Sequence, residues 1–101
     1  MASPFKVAKS EQVPEGGCLQ ADAGGKAVAI FREGGAVHAI DGTCAHRGGP
    51  LGQGVLHQGV VTCPWHGWRF DVRTGRCVNM PDRVQARYPV REEGGEIVVE
   101  V

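Results

Sequence analysis

The sequence predicts an all-β, antiparallel fold, and three observations carry that expectation. The pairs Gly24-Gly25, Gly34-Gly35 and Gly94-Gly95 each sit between extended-looking runs, and Gly-Gly supplies the positive φ angles that tight hairpin turns need. Near the C-terminus Ile97, Val99 and Val101 alternate with Glu96, Val98 and Glu100, the period of a strand with one buried and one mostly wet face. No stretch of ten or more residues carries the period of an amphipathic helix.

Taken in order, "KSEQVPEGG" accommodates a single turn with Ser10 as its cap, limited by Pro14. "CLQADAGGKAVAIF" and "AVAIFREGGAVHAI" then read as consecutive hairpins sharing a strand. Within that strand Val28 and Ile30 face one side, and Ala29 and Phe31 pack on the other. Residues 42–67 break the alternation and are glycine-rich, as expected of two loops projecting from the framework. Between those loops "GVLHQGVVT" reads as a short strand out and a short strand back, turning at Gln58-Gly59. "YPVREEGGEIVVEV" closes the chain as a third Gly-Gly hairpin.

A chain of 101 residues fits one domain, 1–101, with one modest core and neither linker nor repeat. Eleven basic side chains balance eleven acidic ones, so net charge gives no argument for a nucleic-acid or membrane partner. The distribution is uneven: residues 41–91 hold seven arginines against three aspartates, whereas residues 92–101 hold four glutamates and no basic residue. A local basic face in the middle of the chain is one reading, and a solvated surface is the plainer one. The N-terminal "MASPFKVAKSEQVPEGG" lacks a basic-then-apolar leader, a twin arginine and a lipidation motif. The expectation is a cytoplasmic protein, where thiols stay reduced and cysteines are free or metal-bound.

The chemistry concentrates in two half-sites. "CAHRGGPLGQG" offers Cys44 and His46 as a Cys-x-His pair, and "CPWHGW" offers Cys63 and His66 as a Cys-x-x-His pair. Sixteen residues separate them, a length that brings both loops to the same end of a sheet. A Cys2His2 set also suits structural zinc, although zinc folds usually begin with two cysteines a few residues apart.

This pattern resembles the Rieske iron–sulfur family, Cys-x-His-(x)16-Cys-x-x-His. Pro64, Gly67 and Trp68 fit the family's second loop, and "FDVRTGR" fits the Phe-Asp-x-x-Thr-Gly turn that often follows. The resemblance is specific across about residues 40–81, with the cluster-binding portion about 42–81. It implies a Rieske-like antiparallel β-sandwich or barrel framework with two cluster-binding loops at one end. It further implies one [2Fe-2S] cluster, with Cys44 and Cys63 on one iron and His46 and His66 on the other. Two ferric ions, two sulfides and two thiolates sum to zero with neutral imidazoles, whereas an all-cysteine cluster starts two charges more negative. An electron is therefore easier to add here than in a plant-type ferredoxin.

Two departures place the chain within the family. Members of the cytochrome bc type carry a cysteine in each loop, joined in a disulfide; here those positions are Gly49 and Trp65. The same members use a serine and a tyrosine after the second histidine to hydrogen-bond the cluster sulfur; here these are Trp68 and Phe70. Loss of those donors predicts a reduction potential near the low end of the Rieske range, roughly −150 to −100 mV.

The remaining candidates have plainer readings. Cys18 and Cys77 lie in extended segments without ligand spacing and read as buried or partly buried thiols. His38 and His57 are assigned to structure or surface, and Gly48, Gly49 and Pro50 to the shape of the first loop. Trp65 and Trp68 either shield the cluster or pack the loop base. Arg47 and Arg69 are read as exposed, with docking on an acidic partner as the alternative.

Three functions follow from the resemblance. The first is a one-electron carrier passing electrons from a flavin-dependent reductase to a terminal enzyme such as a Rieske non-haem iron oxygenase. The second is the small subunit of a larger redox enzyme such as assimilatory nitrite reductase. The third, a catalytic oxygenase, needs a mononuclear iron on two histidines and a carboxylate. Beyond His46 and His66 only His38 and His57 remain, on separate segments. No phosphate-binding glycine fingerprint for flavin or nicotinamide is present either. The expectation is an electron-transfer component and not an enzyme in itself.

Overall fold

The computed structural model describes residues 3–44, 49–65, 67–80 and 83–101. Among these, strands β1 (Pro4–Lys9), β2 (Cys18–Ala23), β3 (Lys26–Glu33), β4 (Ala36–Asp41), β5 (Val55–His57), β6 (Val60–Thr62), β7 (Arg69–Asp71), β8 (Arg87–Tyr88), β9 (Val90–Glu93) and β10 (Glu96–Glu100) build antiparallel sheets. Helical structure among the described residues is limited to 3-10 turns at Ser10–Gln12 and Leu51–Gln53, and no helix is long and apolar enough to cross a membrane.

The sheets have the orders β1-β10-β9, β2-β3-β4-β8 and β5-β6-β7. All three Gly-Gly pairs form the expected hairpins, each glycine at positive φ between 58° and 92°. Gln58 and Gly59 turn the short β5–β6 hairpin, also at positive φ. Ser10 opens its 3-10 turn and does not cap it: Lys9 holds the cap position, and its N–H donates to Gln12 Oε1 at 2.8 Å.

Strand β3 divides the interior as its alternation predicts. Val28 and Ile30 join Val13, Ala23, Ala39, Ile97 and Val99 in a core beneath the β1-β10-β9 sheet. Ala29 and Phe31 face the opposite way and pack with Ile40, Leu51, Val61, Phe70 and Val72. The central sheet is thus covered on both faces, and burying each large side chain contributes roughly 1.5–3 kcal/mol. Val98, expected on the wetter face of β10, is only 3 % exposed. The second core, which fastens the β5-β6-β7 sheet to β3 and β4, also contains Cys44, Cys63 and Cys77.

Candidate metal centre

Two loops of matching construction meet in that second core. The first leaves β4 through Gly42 and Thr43 to Cys44 and returns at Gly49 and Pro50, with Thr43 and Pro50 paired in an antiparallel bridge. The second leaves β6 at Thr62, passes Cys63, and returns at Arg69, which pairs with Thr62. The Cys44 N–H donates to Gly49 O at 2.8 Å, and the Cys63 N–H donates to Trp68 O at 2.7 Å. Each cysteine therefore closes its own loop five residues on, fixing its backbone direction without help from a metal.

Both cysteines are 3 % exposed. They are brought together through Gly49: a Cβ on this glycine would lie 2.8 Å from Cys63 Sγ and 3.1 Å from Trp65 Cβ. The loops are in contact at that point, with no room for a side chain between them. Trp68 is half-buried and packs against the thiol-bearing core, with the Arg83 guanidinium 5.8 Å above its ring. Trp65, by contrast, is 58 % exposed. The second loop is tied down by Arg69, whose N–H donates to Asn79 Oδ1 at 2.7 Å and whose carbonyl accepts from Val78 N–H at 2.7 Å.

The "FDVRTG" turn has a physical basis in Asp71. Its Oδ1 accepts from Arg73 N–H and its carbonyl from Gly75 N–H, while its own N–H donates to Arg76 O. Phe70 is fully buried and bridges to Cys77.

Of the expected ligand set, the structure brings Cys44 and Cys63 into one core; His46 and His66 lie outside the described residues, as do Arg47 and Gly48. Among the described residues no three of His, Cys, Asp and Glu converge as a metal-binding group. The donor chemistry present still fits an iron–sulfur cluster: two buried thiols, not joined in a disulfide, on touching loops.

The other candidates fall where their plainer readings put them. Cys77 is fully buried, and Cys18 is half-buried with its thiol 3.4 Å from Gly54 O; burial pushes the Cys18 thiol pKa up. His38 is half-buried in β4 with its pKa lowered, first by burial and then by Arg87 and Arg73, and His57 is exposed. Arg69, Arg73, Arg76, Arg83 and Arg87 are all exposed. Sequence reasoning missed Gln20, Asn79 and Gln85, whose amides brace the loops. Nothing in their spacing marks them, since each acts on backbone far away in the chain.

The described residues form an antiparallel β framework carrying two buried thiols on a pair of closed, touching loops. The chain belongs to the Rieske family: the model of the Rieske [2Fe-2S] domain matches residues 3–93. A domain of this family implies a [2Fe-2S] cluster. The chain is 33 % identical over 91 residues to the ferredoxin component of the naphthalene 1,2-dioxygenase system of Pseudomonas aeruginosa, covering 89 % of this chain and 88 % of that one. It is similar in structure to the ferredoxin of carbazole 1,9a-dioxygenase from Nocardioides aromaticivorans IC177, with a TM-score of 0.86, 36 % identity and 96 % of each chain covered. A chain from a complex of reduced oxygenase and oxidized ferredoxin in carbazole 1,9a-dioxygenase matches at a TM-score of 0.84 and 30 % identity, over 95 % of this chain and 91 % of that one.

Proposed function

We propose that this chain is a one-electron carrier, a low-potential Rieske-type ferredoxin. It takes electrons from a flavin-dependent reductase and delivers them to a terminal enzyme of the Rieske oxygenase class. The observation that carries this reading is likeness, over nearly the whole of both chains, to ferredoxin components of dioxygenase systems. Residues 1–101 act as one domain holding one cluster, and the protein works in the cytoplasm, where its thiols stay reduced.

In this reading Cys44 and Cys63 supply thiolates to one iron, and His46 and His66 supply imidazoles to the other. When bound, a [2Fe-2S] cluster provides one-electron redox chemistry. The chain's own residues supply the setting. Leu51, Val61 and Phe70 exclude water from the thiol side. Gly49 lets the two loops close on one another. Exposed Arg69 and Arg83 suit transient docking on an acidic partner, an interaction that raises encounter rates more than affinity.

The test is direct. The purified protein should be red-brown, carry iron and acid-labile sulfide, and mediate electron flow from a flavin reductase to an oxygenase. His46→Ala and His66→Ala should each lose or grossly alter the visible spectrum. Unchanged iron content and spectrum in both would remove the ligand assignment, and a colourless protein loaded with zinc would replace it.

A further inference from the structure

The approach to Cys44 is held by two glutamines that the ligand motif does not include. The regular pairing of β4 ends at Ile40 against β8 and at Asp41 against β3; beyond it Gly42 O accepts from Leu51 N–H at 3.0 Å, and side-chain donors add to the backbone ones. Glutamine amides supply them to three consecutive residues. Gln85 Nε2 donates to Asp41 O at 3.0 Å and to Thr43 O at 2.7 Å. Gln20 Nε2 donates to Gly42 O at 3.1 Å, while its Oε1 accepts from Gly52 N–H at 2.8 Å on the return side of the loop. Gln85 is 4 % exposed, so its amide has few alternatives to these carbonyls.

The Thr43–Cys44 peptide is the critical unit. Its C=O is fixed by Gln85 and its N–H by Gly49 O at 2.8 Å. With both ends held, rotation of this plane is restrained, and the backbone that carries Cys44 is placed before any ligand arrives. Gln85 is itself anchored, its backbone N–H donating to Gly75 O at 2.7 Å in the turn that follows β7. A single residue thus ties the approach to the first loop to the frame of the second.

We infer that Gln85, assisted by Gln20, is a positioning residue for the cluster: it presets Cys44 relative to Cys63 and so slows release of iron. The inference rests on the proposed role of Cys44 as a ligand.

The experiment uses the cluster-loaded protein challenged with excess bathophenanthroline disulfonate, with iron release followed by absorbance. Visible circular dichroism and the electron paramagnetic resonance of the dithionite-reduced form are recorded alongside. Gln85→Met keeps the volume and removes both donors; it should speed release about ten- to hundredfold, the factor by which loss of an outer-shell partner typically weakens metal affinity, and shift both spectra. Arg32→Met is the control, because Arg32 braces Val13 O and Glu92 on the far side of the fold. It should lower the melting temperature without altering the spectra or the release rate by more than its lost stability accounts for. If Gln85→Met does not fold, Gln20→Met carries the test, with a smaller acceleration and a spectral shift in the same sense.

Release and spectra in the glutamine variants indistinguishable from the Arg32→Met control would overturn the inference while leaving the cluster assignment standing. A wild-type protein that takes up no cluster would overturn both.

Discussion

Gly49 lies so close to Cys63 that a Cβ on the glycine would stand 2.8 Å from the Cys63 Sγ. The same residue accepts the Cys44 N–H, so it touches both half-sites at once. Cys63 is buried and cannot swing away cheaply. Gly49→Ala is therefore expected to cost about 1–3 kcal/mol, the usual range for overpacking a closed site. The check is the urea midpoint of the purified protein together with the iron recovered per chain. Both should fall, and wild-type values for both would mean that the loops are not closed as described.

The four cysteines divide into two pairs with different expected behaviour. Cys44→Ser and Cys63→Ser should abolish or drastically weaken the visible spectrum, because each removes a proposed thiolate ligand. Cys18→Ser and Cys77→Ala should keep it. Cys77 is fully buried in the core, so its truncation should cost roughly 1–2 kcal/mol of stability by the usual cavity penalty. Iron and sulfide analysis across the four variants separates the pairs, and retention of a normal cluster by Cys44→Ser or Cys63→Ser would count against the site.

The framework was legible because its signals are local. Gly-Gly turns and a period of two act within a few residues, and they place three hairpins and the division of faces on β3 correctly. The cysteine spacing pointed to Cys44 and Cys63, which the fold does bring into one core. What the sequence hid is long-range and polar. Gln85 reaches residues 41 and 43, and Gln20 reaches residues 42 and 52, through hydrogen bonds that leave no periodicity. Ser10 misled for a related reason: its cap position passed to Lys9, whose N–H is satisfied by the Gln12 side chain. Val98 reads as outward on alternation alone, yet β10 is the central strand of its sheet and is covered there.

The reduction potential follows from what stands beside the thiols. Phe70 is fully buried and Trp68 half-buried in or against the core that holds Cys44 and Cys63, and neither carries a hydroxyl. The loaded protein should titrate at roughly −150 to −100 mV, the low end for a two-histidine, two-cysteine cluster. Phe70→Tyr should raise this by about 60 mV, because one hydrogen bond to a charged group contributes about 1.5 kcal/mol and a one-electron couple moves about 59 mV per 1.4 kcal/mol. Protein-film voltammetry measures both. A wild-type potential above about +100 mV, well into the upper Rieske range, would show that the missing hydroxyls do not set it.

Far from the loops, Arg32 and Glu92 join the central sheet to the β1-β10-β9 sheet. Their closest contact is 2.8 Å, and Arg32 also donates to Val13 O at 2.7 Å. Chiefly through its hydrogen bonds from the Arg32 guanidinium, the Glu92 carboxyl is lowered from its ordinary value near 4.5 to about 2. A carboxyl depressed in the folded state contributes stability that is present above the unfolded value and lost as pH falls through the folded one. Glu92→Gln should therefore lower the melting temperature at pH 7, and its difference from wild type should shrink between about pH 4.5 and pH 2. Because Glu92 is accessible to solvent, added salt should also narrow the gap at pH 7. Melting curves of the two proteins at pH 7, 4 and 3, with and without about 1 M salt (a Debye length near 3 Å), make the comparison. A gap independent of pH would mean that Arg32 holds the sheets through its backbone acceptors alone.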